Sequence, residues 1–495
     1  MTTRDENTSA IGRRTLLAGS AAAATAAALP AAAQAPSGGV DATKWSPDYV
    51  RSIAGTLEVD TAADCAKIVP LNHTGKVTYW YVGPNEADPR LNHEIDAQFF
   101  AAFARTYPNI TIEKQSFTYN DLLDKIRTAA LGKSAPMVAR LTLLWAPELA
   151  AKGFLQELRP EDVGYSTSEF WPGAMKSVTW KGKTYGIPTN NETMALIWNA
   201  DLFEKAGFDP DKPPATWDDL VTYSRTIREK TGKFGYGMVA RRNAGNTPYR
   251  FMPQCWAYGG GALDEAEARP NYDKVYLGNA GTKAALQASI DMYIRDKSVP
   301  VSALTNTQAE NVDPFIAGNL AMMISHPSEY AVMLDRAQRL SGEDRKTADA
   351  VIAKVRYGLI PQGPARRAVV FGGWNAHIFK PSVVAGKHDM DAARAFVAFM
   401  TGPEWSTKLA WTTSNPGHTR GFRTPWMKQR IEQIKFLDVT TSMLTSGIPF
   451  PVIPESAEIM NIVVPDMMQN ALTGRMTAAQ AADTAAKQVK DLLSL

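Results

Sequence analysis

Five consecutive side chains that donate or accept hydrogen bonds, Thr189-Asn190-Asn191-Glu192-Thr193, lie between two apolar runs, Tyr185-Gly186-Ile187-Pro188 and Met194-Ala195-Leu196-Ile197-Trp198. A carboxylate and amides in one turn accept and donate in pairs. A buried hydroxyl needs such partners, because leaving it without one costs about 1–3 kcal/mol. Aromatic rings offer the complementary apolar surface. The chain has 12 tryptophans, and Trp80, Trp145, Trp256 and Trp374 fall on predicted strand ends rather than helix faces. Core packing competes with ligand contact for each of them. Trp374 stands apart, since Gly372 and Gly373 leave little to pack its indole except a ligand, and Asn375 follows it directly.

Signals of catalysis are missing. The six histidines (73, 93, 326, 377, 388 and 418) show no metal-ligand spacing, no serine occupies a Gly-x-Ser-x-Gly elbow, and no glycine run cradles a phosphate. A metal binder would need a tyrosine or histidine cluster, and His326 with Tyr330 is too little. The expectation is a binding protein without enzymatic activity or cofactor.

The polar turn needs rigid elements on both sides, and the sequence supplies them. Pro188 closes a short extended run because it cannot donate to a ladder. Asn199 or Asp201 can cap a helix from Leu202 to Ala206, Gly207 provides the left-handed position after it, and Thr216 with Asp219 opens a second helix. Nearer the N-terminus, Val77-Thr78-Tyr79-Trp80-Tyr81-Val82 is a strand closed by the turn Gly83-Pro84-Asn85. A helix over 91–107 puts Ile95, Phe99, Phe100 and Phe103 on one face. Ile110-Thr111-Ile112 is the next strand, and Tyr119-Asn120-Asp121 caps a helix over 122–131. Such alternation predicts an α/β fold with a mostly parallel sheet, whose ligands sit beyond the carboxyl ends of the strands.

The order Tyr-Gly-Ile-Pro, polar turn, Leu-Ile-Trp-Asn-Ala-Asp-Leu-Phe-Glu-Lys-Ala-Gly, Pro-Pro-Ala-Thr-Trp-Asp-Asp-Leu resembles the extracellular solute-binding family of ABC sugar importers, the maltose-binding-protein-like group. Asp313 to Ile324, Gly372-Gly373-Trp374-Asn375, Thr401-Gly402-Pro403-Glu404-Trp405 and Ala471 to Thr477 fit the later parts of that pattern, so the resemblance runs over about 76–495. It implies a two-lobed type II periplasmic binding protein with three crossovers between lobes and a ligand cleft between them. The implied lobes are 76–188 plus 372–410 and 189–371 plus 411–495, with a hinge near Pro188, Gly372 and Trp411.

Carried over by position, the resemblance makes Glu192 the carboxylate that accepts from sugar hydroxyls and Tyr249 a stacking or hydrogen-bonding tyrosine. Tyr330 takes the place of one stacking tryptophan, while Ser328, Leu141, Leu144 and Asn461 replace other parts of the maltodextrin platform. Long linear glucans therefore fit poorly. A mono- or short oligosaccharide, a polyol or a glycoside fits better. Arg420 matches a loop where the family places a cleft-facing arginine, and its convergence with Arg241 or Arg242 would favour a sugar phosphate or acid. Trp80, Asn85, Tyr119, Trp145, Asn191, Trp256 and Asn375 complete the candidate ligand residues. The implied partners are the carbohydrate and the membrane subunits of an ABC permease, bound by a monomer.

Gly12-Arg13-Arg14-Thr15-Leu16-Leu17 and the Ala-rich run to Ala33 have the layout of a twin-arginine export signal. The run is about as long as a membrane span, but alanine is barely apolar enough to hold a helix in hydrocarbon. Cleavage after Ala33 removes Arg4, Arg13, Arg14, Asp5 and Glu6, which takes the formal charge from +3 to +2. Such a balanced chain has no basic stripe for nucleic acid. Export folded is a route open to cofactor enzymes too, which leaves a periplasmic enzyme as the competing class. Residues 34–75 read as an extension packed on the first lobe. Cys65 and Cys255 are either bridged in the periplasm or two buried thiols.

Overall fold

The computed structural model describes residues 45–494, except 85, 87–89, 243–244, 268–269 and 412–413. The arginine pair at 13 and 14, the cleavage site and Asn85 lie outside the described residues.

Two sheets organise the chain. The first contains β1 (Gly75–Val82), β2 (Ile110–Phe117) and β3 (Val138–Thr142), followed later in sequence by β4 (Ile187–Glu192). The second contains β5 (Ala195–Asn199), β6 (Phe234–Tyr236), β7 (Leu320–Ser325) and β8 (Val355–Gly358). β9 (Gly372–Ile378) and β10 (Asn415–Pro416) return to the first, giving the order β10-β4-β9-β3-β1-β2 beside β8-β5-β7-β6.

The expected mostly parallel sheet is corrected to a mixed one. β1 runs parallel to β2 and β3, the strands joined by helices, whereas β9 lies antiparallel to β3 and β4, and β10 antiparallel to β4. The reason is the path of the chain: β9 arrives from the other sheet, so no helical crossover within the first sheet fixes its direction. β10, reached from β9 through the helices Met390–Thr401 and Pro403–Leu409, runs the same way as β9 and so also lies antiparallel to β4.

Local signals place these strands. Asn199 accepts from the backbone N–H of Asp201 at 3.0 Å and caps the helix Ala200–Ala206, after which Gly207 takes φ 86°. Thr216 and Asp219 cap each other's backbone at 3.1 and 3.0 Å at the start of Trp217–Thr231. The helix over Tyr119–Leu131 starts two residues before the Asp121 turn, because Thr118 is its cap.

The passages between sheets follow Glu192, lie between Gly358 and Gly372, and follow Pro416. The third differs from the expected division at 410/411, since Asn415 pairs with Asn191 and thereby belongs to the first sheet. Polar side chains knit the passages together. Thr189 Oγ1 donates to the Trp374 carbonyl at 2.8 Å, Asn190 Nδ2 to Ser414 Oγ at 2.7 Å, and Asn191 Nδ2 to the Pro416 carbonyl at 3.0 Å. Buried Arg430 donates to the carbonyls of Ala410, Trp411 and Ser414, which holds the approach to the last passage.

Within the extension, the described residues 45–75 are folded. Trp45 packs against Trp171 and Phe422 with ring centroids 4.8 and 5.0 Å apart, and the helix Pro47–Ile53 pairs Arg51 with Asp438. Cys65 and Cys255 are free and buried, and burial pushes both thiols up to about 12. Among the described residues, no helix is long and apolar enough to cross a membrane.

Candidate functional site

Glu192 ends β4 directly opposite Gly372 of β9, and Trp374 lies two residues further along that strand. Trp374 is half-buried with its neighbours turned inward, as the two-residue period of a strand requires. Tyr119, the first residue of its helix, and Trp145 meet the indole edge-on, at 6.1 Å and 86° and at 6.2 Å and 85°. Tyr249, on the helix Asn246–Ala257, approaches from the other side. Glu192, Trp374, Tyr119 and Tyr249 line one cavity of about 240 Å³, with Thr142, Arg250, Gln308, His326 and Ser328. A second cavity of about 210 Å³ lies beyond Trp374 and Glu192, walled by Tyr79, Tyr81, Asp96, Phe100 and Arg140.

The electrostatics fix which groups donate. Burial pushes the Tyr119 phenol up to about 12, and the Glu192 charge adds to that, while a hydrogen bond with Thr142 acts in the opposite sense. Burial raises Tyr249 well above its ordinary value, again with help from Glu192. Both phenols stay protonated at neutral pH. The Glu192 carboxylate accepts from Asn190 Nδ2 at 3.3 Å. Asn190 also accepts from Arg140 Nη2 at 2.6 Å, while Arg140 Nε donates to Thr189 at 3.1 Å. Burial lowers the Arg140 pKa from the usual arginine value, with the Tyr79 and Glu192 groups working against it. Its guanidinium lies 5.3 Å from the Trp374 ring centroid, a cation–π distance.

The far wall is a charge network. Arg250 donates from Nη1 to Asn246 at 3.2 Å and from Nη2 to His326 Nδ1 at 3.2 Å, and approaches Glu329 at 3.5 Å. Arg250 Nε, His326 Nε2 and Gln308 Oε1 are buried and have no hydrogen-bond partner among the described residues.

Several expected residues lie elsewhere. Trp145 is buried behind Tyr119 and Trp374 and backs the site without lining this cavity. Asn191 and Asn375 alternate with Glu192 and Trp374 and so point inward, Asn191 to Pro416 and Asn375 towards Ser177. Trp80 is corrected for the same reason: Tyr79 and Tyr81 take the cavity face of β1, and Trp80 packs on Phe117 at 4.9 Å. Trp256 is wholly buried with its indole N–H on Glu265 at 2.8 Å. Tyr330 is buried against Phe436 in the core beside the second sheet. Arg420 lies 3.9 Å from Glu169, and Arg242 pairs with Asp466 at 3.0 Å, so the expected arginines do not converge.

The sequence reading missed Arg140, Asn190, Thr142, Arg250 and Gln308, and set His326 aside as a metal ligand. One signal was available: Arg140 interrupts the otherwise buried strand Val138–Thr142, and a charge there needs a partner or a ligand.

Two mixed sheets joined by three passages, with a polar and aromatic cavity at the passages, define a two-lobed solute-binding protein. The chain matches the bacterial extracellular solute-binding protein family over residues 92–407 and belongs to it. Its fold is similar to the GacH receptor of Streptomyces glaucescens (TM-score 0.68, 23% identity, 86% of this chain and 99% of that one). It is also similar to maltose-bound MalE3 of T. maritima (TM-score 0.69, 24% identity, 85% and 100%). A sequence relative is the sn-glycerol-3-phosphate-binding periplasmic protein UgpB of Salmonella paratyphi A, 22% identical over 441 residues, covering 84% of this chain and 92% of that one.

Proposed function

We propose that this chain is the substrate-binding component of an ABC importer, which captures a carbohydrate in the periplasm and delivers it to the membrane permease without chemical change. The observation that carries this reading is the meeting of Trp374 and Tyr119 with Glu192 around one cavity of about 240 Å³. Rings cover the apolar face of a sugar, and a carboxylate accepts from its hydroxyls. The size suits a mono- or short oligosaccharide, a polyol or a glycoside. The GacH receptor, described with acarbose, and maltose-bound MalE3 share this fold, which supports a carbohydrate as ligand. The separation of Arg420 from Arg242, each beside its own carboxylate, favours a neutral ligand over a phosphate. Export through the twin-arginine route supplies the periplasmic address.

A thermal-shift screen over sugars, polyols and their phosphates tests this, because a ligand at 100 times its Kd stabilises the native state by about 2.7 kcal/mol. Stabilisation by a neutral carbohydrate is the expected result. Stabilisation by peptides or metal ions alone, with none from carbohydrates, overturns the class.

A further inference from the structure

Three polar atoms on the far wall of the cavity are buried without partners: Arg250 Nε, His326 Nε2 and Gln308 Oε1. They come from three separate segments: the helix Asn246–Ala257, the cap of the helix Pro327–Gln338, and the stretch before the helix Val312–Ile316. All three residues line the cavity that Trp374 and Glu192 close from the other side. Arg250 and His326 are each more than nine-tenths buried. A buried polar group without a partner is costly, and these three belong to residues that line one cavity, where a ligand could pair them.

The hydrogen bond between Arg250 and His326 decides what the histidine offers. A guanidinium only donates, so His326 Nδ1, 3.2 Å from Arg250 Nη2, must accept. The proton of the neutral ring therefore sits on Nε2, the atom without a partner. The wall thus holds two unpartnered N–H donors, Arg250 Nε and His326 Nε2, and one unpartnered acceptor, Gln308 Oε1, buried beneath the cavity surface, with the Glu192 carboxylate as a further acceptor on the opposite side.

Charge then separates the ligand classes. The Arg250 cation already faces Glu329 at 3.5 Å, and Glu192 places a negative charge on the opposite wall. A phosphate has only acceptor oxygens under most conditions and would meet Glu192 and Gln308 with like sign. A hydroxyl can accept from Arg250 or His326 and donate to Gln308 or Glu192 at once.

Resting on the carbohydrate reading above, we propose that Arg250, His326 and Gln308 form a ligand-binding wall that takes the hydroxyls of an uncharged polyhydroxyl compound and selects against its phosphorylated form. His326 contributes the neutral Nε2–H donor and Gln308 the paired acceptor.

The test is isothermal titration of the exported chain with D-glucose, maltose, trehalose and D-sorbitol, and with glucose 6-phosphate and sn-glycerol 3-phosphate. The strongest neutral binder is then carried through variants. His326→Asn keeps an acceptor where Nδ1 meets Arg250 and removes the cavity donor; it should weaken binding about tenfold, or about 1.4 kcal/mol. Gln308→Met keeps the shape, removes the acceptor and should have a similar effect. His326→Gln restores an N–H near Nε2 and should recover most of the affinity. Melting temperatures of the free variants check that each folds.

Wild-type affinity in both His326→Asn and Gln308→Met, with loss in Trp374→Ala, overturns this wall and leaves the carbohydrate reading standing. Tighter binding of either phosphate than of every neutral compound overturns the selection against anions. Absence of binding to all six compounds removes the carbohydrate reading and this wall with it.

Discussion

The Tyr249 hydroxyl stands 2.8 Å from the point a Cβ on Gly372 would occupy, with the ring carbon Cε1 at 2.9 Å. Glycine at 372 lets a helix residue from one side of the cavity touch the strand on the other. Its neighbour Gly373 is needed for a different reason: it takes φ 138°, and a Cβ there would lie 2.2 Å from the Asn190 carbonyl oxygen. Gly372→Ala should push Tyr249 out of the cavity and weaken ligand binding at least about tenfold, since one decade is 1.4 kcal/mol. Titration calorimetry reads the affinity, and unaltered binding would mean that Tyr249 closes nothing.

Trp374 and Glu192 should matter separately. Trp374→Ala strips a ring contact worth on the order of 2 kcal/mol or more. Glu192→Gln keeps the shape and removes charge-assisted acceptance, about 1.5–3 kcal/mol. Each should cost at least about tenfold in affinity. Because Trp374 is half-buried and backed by Trp145, its loss should lower the melting temperature of the free protein only modestly. A large fall in melting temperature with affinity retained would make the indole a core group.

Acid sensitivity should come from two buried histidines, His377 and His418. Burial lowers His377 to about 4, and burial with the Arg420 charge lowers His418 to about 3. In the unfolded chain both titrate near 6.5. Between pH 6.5 and about 4 the unfolded state therefore binds more protons, and stability falls as pH falls, by up to about 1.4 kcal/mol per pH unit for each histidine. The His418 contribution continues to decline down to about 3. His377 Nδ1 lies 2.7 Å from the Tyr185 carbonyl, so His377→Asn keeps a donor there and should flatten the dependence of melting temperature on pH by about one proton. An unchanged slope would show that the native imidazole is charged.

Export is the fourth prediction. Replacing Arg13 and Arg14 by lysine should leave the protein in the cytoplasm. Recovery from the periplasm at normal levels would assign its export to another route.

Strand and helix positions were legible because each has a local cause. Asn199, Gly207 and the pair Thr216 and Asp219 cap or stop their helices through contacts within a few residues. Direction in the sheet was not legible: β9 is antiparallel because of where the chain comes from, which no window of residues records. In the site, Glu192 and Trp374 could be read from a polar run and a glycine pair, although that run is strand β4 and not the expected turn, and Pro188 lies inside the strand instead of closing it. Their neighbours Asn191 and Asn375 were mistaken for cavity residues because composition does not show which face of a strand a side chain takes. Arg250, His326 and Gln308 come together only through packing, from segments up to 76 residues apart in sequence between Arg250 and His326.

The Thr189, Asn190 and Asn191 side chains reach, in turn, Trp374, Ser414 and Pro416. Three neighbouring residues of one strand are thus lashed to the two others that pass between the sheets. Three separate tethers would let the halves rock, shear and twist independently, whereas three splinted together behave as a single leaf spring. A load placed on Trp374 at one tether is then shared with Ser414 and Pro416 on another.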